Sequence, residues 1–166
     1  MSNGDYTNID ALKIALNLEK DGYDFYTAVA AKATDEKVKK IFLMLANEEK
    51  KHLSLIRKIQ DGLIDPLTYF ISDEVLVEEY LRRIIEKKVF SESKDIDDIM
   101  EKATVEDAII LAMQAEKDSR DFFFMMSELT KDHEGQVTFL QLSRFEENHL
   151  IELERLRDYI ARQANQ

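Results

Sequence analysis

The chain has 166 residues, 45% of them hydrophobic and 34% charged, with four Gly and one Pro. That balance describes a single globular domain built of long regular elements and excludes a disordered chain. A formal net charge of −11 argues against nucleic acid or an anionic membrane as partner, and the absence of cysteine excludes disulfides, zinc knuckles, iron–sulfur clusters and thiol catalysis.

The first periodic segment runs from about Asn8 to Ala33. Leu12, Leu16, Glu19, Tyr23, Tyr26 and Ala30 recur at steps of three and four, the spacing of one helical stripe. Thr7 caps it, with Asp10 in the third helical position. Thr34-Asp35 reads as a tight connection and a new cap. The second helix continues to about Asp61, with Phe42, Leu45, Glu49, His52, Ile56 and Ile59 on its stripe and Gly62 placed to end it. Residues 63–103 form a long connection. Pro66 breaks it, Val75 to Lys88 is predicted as a helix, and Asp95 to Lys102 as a short one. Thr104 and Asp107 repeat the capping pattern and open a third long helix to about Thr130. Lys131 to Gly135 reads as a turn. The fourth helix runs to about Arg162 on the stripe Phe139, Leu142, Glu146, His149, Leu153, Leu156 and Ile160. The fold class is therefore all-α: an antiparallel four-helix bundle of two hairpins (7–62 and 104–163) joined by a long, partly helical crossover, in one domain.

The two hairpins are a repeat. Shifted by 97 residues, positions 7–53 match positions 104–150 without a gap, with 16 identities in 47. Glu19-Lys20-Asp21 falls on Glu116-Lys117-Asp118. Glu49, His52 and Leu53 fall on Glu146, His149 and Leu150. Chance likeness between amphipathic helices matches Leu and Lys positions; it rarely matches two Glu-x-x-His pairs and two single glutamates at one offset.

Glu49-x-x-His52 and Glu146-x-x-His149 place a carboxylate and an imidazole on one helix face, about 4.5 Å apart along the axis. Both pairs lie inside apolar stripes, as do Glu19 and Glu116. A buried ionised carboxylate costs several kcal/mol unless something compensates it. The heights also agree: Glu19 and Glu49 are each 15 residues from Thr34, and Glu116 and Glu146 are each 15 residues from Lys131. Packing the hairpins together therefore assembles four Glu and two His. Four carboxylates balance two divalent ions, and a mixed oxygen and nitrogen set suits iron or manganese better than calcium. The competing reading is a polar network that sets the register of the bundle.

These motifs resemble the ferritin-like di-iron carboxylate superfamily, whose known pattern is a Glu from each of two helices plus a Glu-x-x-His from each of the other two. The rubrerythrin group is the nearest likeness, across roughly residues 7–60 and 104–160. The resemblance implies that Glu19, Glu49, His52, Glu116, Glu146 and His149 are metal ligands, with Glu49 and Glu146 bridging two iron ions. Glu19 with His52, and Glu116 with His149, would complete the ends. Two departures stand out. The extra glutamate that rubrerythrins carry one turn after the third-helix ligand is Ser119 here, and without cysteine there is no rubredoxin module.

Around these six, Tyr23 and Tyr26 lie one and two turns beyond Glu19, where they could support a ligand or simply pack. Arg120 occupies the position equivalent to Tyr23, to pair with a carboxylate or extend to the bundle surface. Glu48 and Glu147 neighbour the ligands but point about 100° away, which makes them surface groups or partners standing behind a ligand. Phe122 to Met126 is too wide for one face, and the excess suits a dimer surface. Met113 reads as core, so no haem is expected. The functional expectation is an oxidoreductase reacting with O₂ or H₂O₂, of peroxidase or ferroxidase type and served by a separate electron donor. The alternatives are iron storage and a metal-clamped scaffold. A homodimer or higher homo-oligomer is expected, with neither nucleic acid nor membrane as partner. No apolar run approaches the ~18 residues of a bilayer span and no leader is recognisable, so the expected location is the cytoplasm.

Overall fold

A computed structural model describes residues 8–59, 104–130 and 133–164. These form four helices: α1 (Asn8–Lys32), α2 (Glu36–Lys58), α3 (Val105–Leu129) and α4 (His133–Ala164). The expected cap at Thr7, the stop at Gly62 and the crossover 63–103 lie outside the described residues.

Two helix starts follow from the caps seen in the sequence. The Asp35 carboxylate accepts from the backbone N–H groups of Lys37 (2.8 Å) and Val38 (3.0 Å). Thr104 Oγ1 accepts from Asp107 N at 3.1 Å, while Asp107 Oδ2 accepts from Thr104 N at 2.9 Å, a reciprocal capping box. One boundary differs. The sequence reading extends the second turn through Gly135, but α4 begins at His133 and Gly135 is buried in its first turn. Gln136 Nε2 donates to Thr130 O at 2.7 Å and ties the start of α4 to the end of α3.

Each helix packs most extensively on its hairpin partner, and α1 also meets α3 while α2 meets α4. The residue levels show that these neighbours are antiparallel. The core has two parts. One joins Leu12, Ala15, Leu18, Ile56, Ile59, Phe122, Phe123, Met126, Phe139 and Leu142. The other joins Phe25, Tyr26, Val29, Ala30, Val38, Phe42, Leu45, Ala46, Ala108, Ile109, Ala112, Leu153 and Leu156. Between them lies the level of Glu19, Glu49, Glu116 and Glu146.

The stripes of α2 and α4 are buried as their spacing predicts, with only Ile160 at the margin. On α1 the inward line runs through Ala15 and Gly22; Leu16 and Tyr23 sit at its edge. Small residues take the innermost positions because α1 must approach its neighbours closely, and the larger chains flank them. Phe122, Phe123 and Met126 are buried, and Phe124 is 52% exposed. Among the described residues, no helix is long and apolar enough to cross a membrane.

Candidate metal centre

Helix α1 delivers Glu19, α2 delivers Glu49 and His52, α3 delivers Glu116, and α4 delivers Glu146 and His149. All six are at most 3% exposed. They form two sets of four: Glu19, Glu49, His52 and Glu146, and Glu49, Glu116, Glu146 and His149. Within each set, one donor atom per residue lies within 4.8 Å of every other. Glu49 and Glu146 belong to both.

Both imidazoles aim Nδ1 into the carboxylates. His52 Nδ1 lies 3.1 Å from Glu19, 3.3 Å from Glu49 and 3.4 Å from Glu146. His149 Nδ1 lies 3.0 Å from Glu146 and 3.2 Å from both Glu49 and Glu116. The rings stack on each other, with centroids 5.4 Å apart. One nitrogen facing three carboxylates cannot satisfy them all with a single proton. Glu19 Oε1 and both Glu146 oxygens are buried without a hydrogen-bond partner among the described residues. Orphaned buried carboxylate oxygens are costly. Hard oxygen donors converging with two imidazole nitrogens therefore fit a pair of metal ions.

The electrostatics carry the same strain. Burial, with the charges of Glu49 and Glu146, holds the Glu19 carboxyl well above the usual carboxylate range. Burial and the Glu146 charge do the same to Glu116. Burial also pushes Glu49 and Glu146 upward, but Glu19 and the two imidazoles hold Glu49 low, and the proximity of the same imidazoles holds Glu146 low. Burial alone would lower His52, yet Glu146, Glu19 and Glu49 push it up to about 12. His149 is raised well above its ordinary value against the same burial, mainly by Glu116, with Glu146 and Glu48.

The flanking candidates separate. Tyr26 is 1% exposed, and its hydroxyl donates a hydrogen bond to Glu116 Oε1. Tyr23 packs at the edge of the core. The Arg120 guanidinium is held by Asp121 (2.8 Å) and Glu147 (2.7 Å) on the outside of the bundle, away from the six. Arg120 thus pairs with carboxylates, but with two on the outside of the bundle rather than with the six. Met113 lies at the core margin, 4.0 Å from Arg157 Nη1.

Glu48 lies off the stripe and stands behind a ligand, its Oε2 2.9 Å from His149 Nε2. The imidazole is thus held between Glu48 on one nitrogen and the cluster on the other. The 100° offset that turns Glu48 away from its own helix's site turns it toward α4. Beside the shared carboxylates is a cavity of about 10 Å³ lined by Leu18, Gly22, Tyr26, Glu49, Ala115, Glu116, Ser119 and Glu146, enough for one water-sized molecule. Gly22 and Ser119 are repeat equivalents. Both are small, and Ser119 lines this space where rubrerythrins carry a glutamate.

Fold and donor set together define a ferritin-like bundle with a paired carboxylate–imidazole centre. The sequence profile of the rubrerythrin family matches residues 10–157, and the chain belongs to that family. Its structure is similar to a hypothetical protein from Pyrococcus furiosus, at 22% identity and TM-score 0.67, over 96% of this chain and 93% of that one. It is also similar to a Thermotoga maritima protein described as ferritin-like and diiron-carboxylate, at 21% identity and TM-score 0.72, over 95% and 98%. A third likeness is to a protein from Anabaena variabilis with DJ-1/ThiJ/PfpI-like and ferritin-like domains, at 14% identity and TM-score 0.59, over 94% of this chain and 41% of that one. No functionally curated protein matches the sequence significantly.

Proposed function

We propose that the chain is a di-iron oxidoreductase of the rubrerythrin type that reduces O₂ or H₂O₂. The observation that carries this reading is the pair of buried four-residue clusters sharing Glu49 and Glu146. Glu49 and Glu146 would bridge the two ions, Glu19 and His52 would hold one, and Glu116 and His149 the other. Two ferrous ions bound there would supply the two electrons that the oxidant takes up. The chain's own contribution is positioning and exclusion. Helical i, i+3 spacing fixes each Glu–His pair, the Tyr26 hydroxyl orients Glu116, and the apolar clusters above and below keep bulk water out. The water-sized cavity beside Gly22 and Ser119 adjoins the shared carboxylates. We assign the resident metal as iron from the mixed donor set and the family; manganese suits the same donors. Self-association and a separate electron donor belong to the same proposal, with exposed Phe124 as the surface to examine by light scattering.

The test is anaerobic loading with Fe(II), metal counting, and rapid mixing with O₂ and with H₂O₂. The expected result is two irons per chain and a new near-ultraviolet absorption of di-ferric character with at least one oxidant. Two irons with no such change under either oxidant would refute an oxidoreductase. Large excess iron in a cage-sized particle would replace it with storage.

A further inference from the structure

The repeat makes the two halves of the centre directly comparable, and they differ at the residues behind the donors. Behind Glu116 stands Tyr26, whose hydroxyl donates to Glu116 Oε1. The residue equivalent to Tyr26 is Phe123, fully buried in an apolar cluster and without a hydroxyl to offer. Glu19, the counterpart of Glu116, accordingly keeps Oε1 without a hydrogen-bond partner among the described residues. Behind His149 stands Glu48, its Oε2 2.9 Å from Nε2. The residue equivalent to Glu48 is Phe145, whose ring stacks on His52 with centroids 5.1 Å apart and an interplanar angle of 15°. Both exchanges run in one direction. The first hairpin supplies hydrogen-bonding groups to the donors of the second, and the second returns phenylalanines.

We propose that the two metal positions are inequivalent, and that Tyr26 and Glu48 make the Glu116–His149 position the tighter and first filled of the two. A carboxylate on Nε2 fixes the tautomer that leaves the Nδ1 lone pair free for a metal and makes the ring a stronger donor. A hydroxyl on Glu116 holds that carboxylate in one orientation before an ion arrives. Among the described residues, His52 is backed by the Phe145 ring and Glu19 Oε1 by no hydrogen bond, so the ion they hold exchanges more readily. Tyr26 and Glu48 are positioning residues, acting through Glu116 and His149. Losing such a partner typically weakens metal binding about 10–100-fold.

This inference rests on the di-metal reading, and one experiment separates the two. The metal-free chain is titrated anaerobically with Co(II), followed by calorimetry, visible absorption and the paramagnetically shifted imidazole N–H proton resonances. Two Co(II) ions are expected in two steps about tenfold or more apart. Glu48→Ala and Tyr26→Phe should each weaken the first step by about 10–100-fold and leave the second nearly unchanged. Glu48→Gln, which keeps an acceptor but not the charge, should fall between. The His149 N–H resonance, slow to exchange with solvent in the native chain, should exchange rapidly in Glu48→Ala while the His52 resonance does not change. Because Glu48 is part-exposed, its variants are expected to keep the fold, which circular dichroism checks. Two equal steps, or variants that weaken both steps alike, would overturn the inequivalence and leave the di-metal reading standing. No Co(II) bound at all would overturn the di-metal reading itself, and the inference with it.

Discussion

Filling the buried cluster with two divalent ions should expel about four protons. In the metal-free chain, burial drives Glu19 and Glu116 toward the protonated form and the surrounding carboxylates drive both imidazoles toward the charged form, while Glu49 and Glu146 are held toward the ionised form. Two imidazolium charges then offset two carboxylates, and the layer is neutral. Two M²⁺ ions require four ionised carboxylates and two free Nδ1 lone pairs, which is again neutral. The exchange is therefore two dications for two carboxyl and two imidazolium protons. Averaged over both ions, that is about two protons each, so the apparent dissociation constant should fall about 100-fold per pH unit near neutrality. The assay is an anaerobic titration at about pH 7 in weak buffer with a pH indicator, or calorimetry in buffers of different ionisation enthalpy. Release of one proton or fewer per chain would refute the reasoning, since the layer would then hold its unbound charge by another route, such as penetrating water.

The same groups set the stability of the metal-free protein. His52 is raised from 6.5 to about 12 on folding, so its contribution is complete below pH 6.5 and is lost as pH climbs toward 12. Raised Glu19 and Glu116 act in the same sense from 4.5 upward. With chelator present, the urea midpoint should therefore fall between about pH 6 and pH 9, each retained proton weighing about 1.4 kcal/mol per pH unit. A flat profile would contradict it. Gly22→Ala places a Cβ 3.5 Å from Glu49 Cγ, an ordinary contact, so it should raise stability by about 0.5–1 kcal/mol through helix propensity. It also narrows the cavity beside Glu49, so oxidation of the iron-loaded chain should slow in stopped-flow mixing. Phe42→Ala empties a fully buried site in the larger apolar cluster and should cost about 3–5 kcal/mol in chemical denaturation.

Much of this arrangement is legible before any coordinates. The α2 and α4 stripes are uninterrupted at helical spacing, and the repeat pairs Glu19 with Glu116 and Glu49-x-x-His52 with Glu146-x-x-His149. Equal distances from the two turns then put all six at one level. On α1 the reading drifts, since Leu16 and Tyr23 look more apolar than Ala15 and Gly22, yet close helix approach favours the small pair. Glu48 is legible only as one of two things, a surface group or a partner behind a ligand. A helical wheel places it on a flank, but which neighbour that flank meets depends on how the hairpins are set side by side, and no spacing within one helix encodes that. The contrast of Tyr26 with Phe123 and of Glu48 with Phe145 was visible in the aligned repeat; only the bond partners show that it matters.

The two apolar clusters on either side of the polar layer each draw on all four helices. Each end of the bundle is thus a small core of its own, and without ions the two are joined only through the protonated polar layer. Amide hydrogen exchange in the metal-free chain should resolve two cooperative units, one around Phe42 and Ile109 and the other around Ile56 and Phe123, opening at different free energies. Ions bound between them would make opening either end expose ligands of the other, so the two protection levels should converge. The centre would then act as the splice through which two half-cores unfold as one.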